Sequence, residues 1–223
     1  MKITWLGHSG FRIEIGDQVL LIDPWLRGNP SFDEAKFDEA VAGATHVLIS
    51  HGHFDHINDA AEVCKATGAP PVCIYDAAGK LSEATGLEAI GFNKGGTVML
   101  GDVAVTMVNA VHSYGEGAGS EAGFMISHAG RTIYFSGDTD VTADMGVFEA
   151  LHQPEIGILC AGGHFTMDMK RATYAAKTFF NFKTVIPCHY KTFPILEQSA
   201  QVMKDGLPGV DVVEMDVMAP QEF

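Results

Sequence analysis

The feature that most constrains the fold is a texture that occurs twice along the 223 residues. In each half a run of short alternating strands gives way to strand–helix units. Residues 2–6, 11–16 and 18–23 read as strands, with Phe11, Ile13 and Ile15 on one face of the second. Gly7 to Gly10 and Gly16-Asp17 supply the turns of an antiparallel meander. From residue 46 the pattern becomes strand 46–50, helix 58–67, strand 71–75, helix 77–85 and a strand near 88–91. The second half repeats the sequence of events. Strands 97–100, 103–109, 122–128 and 131–136 turn at Gly101-Asp102 and Ala129-Gly130. Helix 143–152, strand 155–160, helix 168–181, strand 183–188, helix 195–205 and a strand near 210–214 follow. A meander buries one face, and parallel strands need helices as crossovers. Two such halves pair sheet against sheet and leave helices outside. The expectation is an α/β fold, a four-layer αββα sandwich, in one domain over 1–223.

Within that frame polar residues gather where strands run out. Ser50-His51-Gly52-His53-Phe54-Asp55-His56-Ile57 follows the apolar run His46 to Ile49 and precedes Asn58, a good helix N-cap. Loops at strand ends carry chemistry while the sheet holds them still. Neutral imidazoles and carboxylates at this density suit metal ions, and Gly52 permits a tight loop between two rings. Four more strand ends carry metal-capable groups: Asp23, His112, Asp138 and His189. A single histidine in such a place is more often a turn residue; repetition favours a site.

The charge excludes other classes. The net charge is −14, which repels phosphate backbones and argues against a nucleic-acid partner. No run reaches the roughly 18 apolar residues of a membrane span, and the first residues do not read as a signal peptide. Cys64, Cys73, Cys160 and Cys188 form neither a CxxC pair nor a secreted framework. Reduced, buried thiols and a cytoplasmic setting are expected.

The order His51-x-His53-x-Asp55-His56, His112, Asp138, His189 resembles the metallo-β-lactamase superfamily, over nearly the whole chain. Trp5-Leu6-Gly7-His8-Ser9-Gly10-Phe11, Leu21-Ile22-Asp23-Pro24 and Gly162 to Asp168 resemble its small "metal-dependent hydrolase" branch. That branch is related to L-ascorbate-6-phosphate lactonase and N-acyl-phosphatidylethanolamine phospholipase D. The resemblance implies two divalent metal ions, roughly 3.5–4 Å apart. His51, His53 and His112 would bind one ion, Asp55, His56 and His189 the other, and Asp138 would bridge them. Zinc is the superfamily default; manganese and iron accept the same ligands. A hydroxide shared by the ions would attack an ester, lactone or phosphodiester of a small metabolite, with Asp55 orienting it. Two divalent ions outweigh the charge of Asp55, Asp138 and the hydroxide, so an anionic substrate is expected.

Supporting roles are assigned more loosely. Asp23 is expected to accept the N–H of a ligand histidine. His8 and His164, each in a glycine-led loop, are catalytic candidates, with turn roles as the alternative. Asp168 reads as a helix cap, and Lys191 as a solvated lysine or an anion contact. The glycine-rich run 113–121 reads as a lid or an ordinary loop. A homo-oligomer is compatible with the sequence. Two other readings stand beside the hydrolase. One is an iron-dependent oxidoreductase of the persulfide dioxygenase kind on the same fold; the other is a non-catalytic metal-binding protein.

Overall fold

The computed structural model describes residues 1–115 and 119–223. Part of the run 113–121, read as a lid or an ordinary loop, therefore lies outside the described residues.

The first half begins with β1 (Lys2–Gly7), β2 (Gly10–Ile15) and β3 (Gln18–Ile22), an antiparallel meander. Helix α1 (Phe37–Val41) lies in the long connection to β4 (His46–Leu48). Then come α2 (Phe54–Ile57), α3 (Ala60–Thr67), β5 (Pro71–Ile74), α4 (Tyr75–Thr85) and β6 (Ile90–Phe92). The second half opens with the meander β7 (Thr97–Leu100), β8 (Val103–Asn109), β9 (Ala122–His128) and β10 (Arg131–Phe135). It continues as α5 (Asp144–His152), β11 (Ile156–Cys160), α6 (Met169–Phe179), β12 (Thr184–Cys188), α7 (Gln201–Gly206), β13 (Asp211–Val212) and β14 (Gln221–Glu222).

Each half builds one seven-stranded mixed sheet. The orders are β14-β1-β2-β3-β4-β5-β6 and β13-β12-β11-β10-β9-β8-β7. In both, the meander is antiparallel and pairing turns parallel from its last strand onward, at β3–β4 and at β10–β11. The repeated texture of the sequence is thus a repeated topology. The exception is β14, which returns to the first sheet and pairs with β1.

The two sheets share one hydrophobic core. Phe11 on β2 meets Phe135 on β10 edge-on at 6.2 Å, and Phe92 on β6 stacks on Phe124 of β9 at 6.5 Å. Small residues let helices approach the sheets. Helix α3 buries Ala60, Val63 and Cys64 and packs on β4; α6 buries Met169, Ala172, Ala175 and Ala176 and packs on β11. All four cysteines are free and buried.

Two expectations are corrected. The helix expected over 58–67 begins two residues later, at Ala60, because the motif loop takes a separate helical turn of its own, Phe54–Ile57. Asn58 ends α2 instead of capping α3. The helix expected over 195–205 shrinks to Gln201–Gly206. Backbone groups of 191–197 are spoken for by tertiary partners: Lys191 N donates to Glu197 O, and Glu197 N donates to Gly162 O, both at 2.9 Å. This segment becomes a wall of the cavity described next. No helix among the described residues is long and apolar enough to cross a membrane.

Candidate metal centre

The strand ends of both halves deliver the motif residues to one point. Asp23 follows β3, His51 to His56 follow β4, His112 follows β8, Asp138 follows β10 and His189 follows β12. Three of the residues gathered here have left-handed backbones without being glycine: His8 (φ 52°), Asp23 (φ 45°) and His189 (φ 56°). Such conformations persist only where the surroundings impose them, and they concentrate at functional sites. Here backbone hydrogen bonds hold them. Asp23 N donates to Leu48 O at 3.0 Å, and His189 N donates to His8 O at 2.9 Å.

The side chains converge on Asp138. Its Oδ2 lies 3.1 Å from His189 Nε2, 3.3 Å from His56 Nε2, 3.7 Å from His112 Nε2 and 3.9 Å from His51 Nε2. On one side, His51 Nε2 and His112 Nε2 come within 2.9 and 3.2 Å of His53 Nδ1. On the other, Asp55 Oδ2 lies 3.6 Å from His189 Nε2 and 3.9 Å from His56 Nε2. The trio His51, His53, His112 and the group His8, Asp55, His56, His189 each bring donor atoms close enough to hold an ion.

Whether these groups fit a metal can be judged from their own chemistry. His51 Nε2 and His112 Nε2 both face His53 Nδ1, which carries at most one hydrogen to share between them. His56 Nε2 and Asp138 Oδ1 are buried and make no hydrogen bond among the described residues. Burying such atoms without partners costs on the order of several kcal/mol for a charged group. A donor set of five imidazoles and two carboxylates, with no thiolate, matches divalent ions of borderline or hard character. The residues fit the group.

Electrostatics agree with that geometry. Burial and the neighbouring His56 push His51 down to about 2, leaving it a neutral donor. Burial opposes charge on His56 and His189, yet the carboxylate of Asp138 carries both upward, His189 to about 9. Burial would lift the Asp138 carboxyl, but His189 and His56 hold it well below the usual carboxylate range. Asp55 is likewise held low against its burial, by hydrogen bonds from His189 and His8.

A set of supporting hydrogen bonds fixes which nitrogen faces inward. His56 Nδ1 donates to Asp23 Oδ2 at 2.7 Å, which frees Nε2 for the centre. Ser50 donates its hydroxyl to the same oxygen, and Ser50 Oγ accepts from His51 Nδ1 at 3.0 Å. Asp23 thus orients two histidines, one directly and one through Ser50. His8 is fully buried, and burial with the nearby His189 lowers it to about 4. As a neutral ring it donates from Nε2 to Asp55 Oδ2 at 2.8 Å and accepts at Nδ1 from Thr192 Oγ1 at 2.9 Å. Ser50, Thr192 and Asp59 escape a sequence reading. Asp59, which looks like an ordinary helix-start residue, accepts from Leu26 N and Arg27 N at 2.6 Å and pins the loop after Asp23.

Not every candidate lies at the centre. His164 is exposed, packs edge-on against Phe165 at 4.5 Å, and lines neighbouring clefts instead of the central cavity. Lys191 points away and pairs with Glu214 at 2.9 Å. Asp168 caps α6, accepting from Arg171 N at 2.7 Å.

The centre opens into a cavity of about 590 Å³ lined by His53, Asp55, His112, Ser113, Asp138 and His189 on its floor. Phe54, Phe165, Phe193 and Ile195 form its wall. Two close backbone contacts set the floor. Gly52 and Gly115 form a β-bridge, where a Cβ on Gly115 would come 2.5 Å from the Gly52 carbonyl. A Cβ on Gly162 would collide with the His189 carbonyl.

Comparison with known proteins gives a consistent picture. The family model described as a beta-lactamase superfamily domain matches residues 2–189. A metal-dependent hydrolase of Dinoroseobacter shibae is 67% identical over 230 residues, covering 100% of both chains. A metal-dependent hydrolase of Paracoccus denitrificans is 59% identical over 227 residues, covering 99% of both. The solved structure of Igni18, a metallo hydrolase of Ignicoccus hospitalis, superposes with a TM-score of 0.87 at 31% identity, covering 100% of this chain and 98% of that one.

Proposed function

This chain belongs to the beta-lactamase superfamily, and from that membership we propose that it is a metal-dependent hydrolase with two divalent ions at the strand-end centre. One observation carries the reading: Asp138 Oδ2 faces four imidazole nitrogens at 3.1 to 3.9 Å, drawn from both ligand groups, while its second oxygen is buried without a partner among the described residues. A carboxylate oxygen has two lone pairs and can face two ions at once; the single lone pair of an imidazole nitrogen cannot be shared in that way.

His51, His53 and His112 would hold one ion, Asp55, His56 and His189 the other, and Asp138 both. Zinc, manganese and iron each suit this set. When bound, two such ions supply a water nucleophile active near neutral pH and polarise a carbonyl or phosphoryl oxygen. The chain's own residues do the rest. Asp23 and Ser50 keep His56 and His51 in the tautomers that present Nε2. His8, backed by Thr192, holds the Asp55 carboxylate toward the cavity, where it orients the attacking water. The reaction is hydrolysis of an ester, lactone or phosphodiester in a small molecule.

The test is metal analysis of the purified protein, followed by a screen of lactones, carboxylic esters and phosphodiesters with zinc or manganese added. Two ions per chain, with turnover lost in Asp138→Ala, is the expected result. Metal content and turnover unchanged in that variant would sink the reading.

A further inference from the structure

The wall of the cavity differs in chemistry from its floor. Phe54 is 63% exposed, Phe165 54% and Ile195 58%. Large apolar side chains left in water forgo the burial that drives folding, and a cluster of them beside a site marks a surface that something else covers. These residues do not point in scattered directions: with Phe193 they all line the one cavity that Asp55, His112, Asp138 and His189 also line. Two of them, Phe54 and Phe193, are held in place from behind. Trp25 is buried and meets Phe54 edge-on at 5.5 Å and Phe193 at 6.1 Å. The ring of His8 supports Phe193 edge-on at 5.9 Å. Packing of this kind makes a preformed wall, and about 590 Å³ is the volume of a small-molecule site.

The charges nearby complete the argument. No lysine or arginine lines this cavity among the described residues. Lys191 is paired with Glu214 at 2.9 Å and Arg171 with Asp140 at 3.0 Å. Lys94 donates to Asn109 at 3.0 Å. An anionic group placed against the wall would meet phenyl rings and the carboxylate of Asp55, with no lysine or arginine among the described lining residues to receive it.

We infer that the Phe54–Phe165–Phe193–Ile195 wall is the substrate-recognition surface, and that it binds an uncharged apolar group, an alkyl or aryl acyl chain, directly beside the scissile bond. The inference rests on the hydrolytic reading of the centre and narrows it to neutral carboxylic esters. The oxygen of water joins the acyl carbon, the acyl C–O bond breaks, and the alcohol leaves with a proton. This departs from the anionic substrate expected from the charge of the ions, because the part of the molecule beyond the reacting group would meet the apolar wall.

Two esters decide the matter. 4-Nitrophenyl butyrate and 4-nitrophenyl hemisuccinate share a leaving group and differ by a carboxylate on the acyl chain. With the metal-loaded protein, kcat/KM for the butyrate should exceed that for the hemisuccinate by about 10-fold or more. Phe165→Ala and Ile195→Ala should raise KM for the butyrate with kcat retained, the pattern of lost uniform binding. Phe165→Lys should move the preference toward the hemisuccinate. A second readout does not need turnover: equilibrium dialysis of butyranilide and succinanilic acid, with the wild type and Ile195→Ala. The neutral anilide should bind more tightly, and the variant should weaken it. Equal or faster turnover of the hemisuccinate overturns the wall proposal while the hydrolytic reading stands. If neither ester is hydrolysed, ester hydrolysis falls, and the dialysis alone decides the wall. Equal binding of the two anilides, or no loss in the variant, overturns it.

Discussion

His56 and His189 are almost wholly buried and form the closed side of the centre, although His189 also borders the cavity, whereas His53 and His112 are partly exposed and form its open side. On the closed side His56 and Asp55 are backed by other residues, while the outer nitrogen of His189 is buried without a hydrogen-bond partner among the described residues. Asp23 takes the outer nitrogen of His56, and His8 with Thr192 steers Asp55. Both histidines there are essentially inaccessible to water. On the open side His53 and His112 are partly exposed, and among the described residues the outer nitrogen of His53 has only Ser113 Oγ at 3.3 Å. His51 links the two: it belongs to the open-side trio but shares Asp23, through Ser50, with His56. Supporting hydrogen bonds fix ring orientation before an ion arrives, so less order is lost on binding. The closed side should therefore hold its ion more tightly.

The strongest way to break this comparison is to remove what the two sides share. Asp138→Ala should empty both and lower hydrolysis by more than about 100-fold; metal analysis beside turnover reads it. Asp23→Asn keeps the shape but weakens an acceptor. Metal affinity should fall about 10- to 100-fold in competition with a chromogenic chelator. The loss should fall mainly on the closed side and spread to the open side through Ser50. A third measurement tests the ranking itself. Titration with a chelator should remove the ions in two steps, about 10-fold apart in chelator concentration, with a plateau at one ion per chain; loss of both in a single step would contradict it. The smallest effect belongs to Ser113→Ala, where a long contact to an exposed ring goes. Its cost should be about twofold in affinity, and a loss as large as that of Asp23→Asn would erase the distinction between the sides.

The residues gathered at the centre were legible for a physical reason. Each sits where an apolar run ends, and polar groups at strand ends stand out against hydrophobic alternation. The meander followed by βα units was legible on the same ground, since periods of 2 and 3.6 differ over a few residues. Other parts left no such trace. Phe54, Phe165, Phe193 and Ile195 come from three separate loops and obey no period, so nothing in the order of residues shows that they share a wall. The helix expected through Ile195 failed because tertiary hydrogen bonds to Gly162 replaced the local ones. The role of Asp59 depends on a partner loop more than thirty residues earlier, at Leu26 and Arg27. His164 has the glycine-led setting of a site residue but lies over a neighbouring cleft, a difference of direction that spacing does not encode.

The contacts at Gly115 and Gly162 have a bearing on how such a protein can diverge. At both positions main chain touches main chain, so any side chain there would displace the motif loop or His189. The frame that carries the ligand residues consequently has almost no substitutions open to it at these points. The wall has more at Phe165 and Ile195, whose side chains are more than half exposed, whereas Phe54 and Phe193 pack on Trp25. Change in what the protein acts on is therefore expected to accumulate in the wall, with the centre inherited intact beneath it. Swapping the wall residues of two relatives should exchange their substrate preferences while leaving metal content untouched.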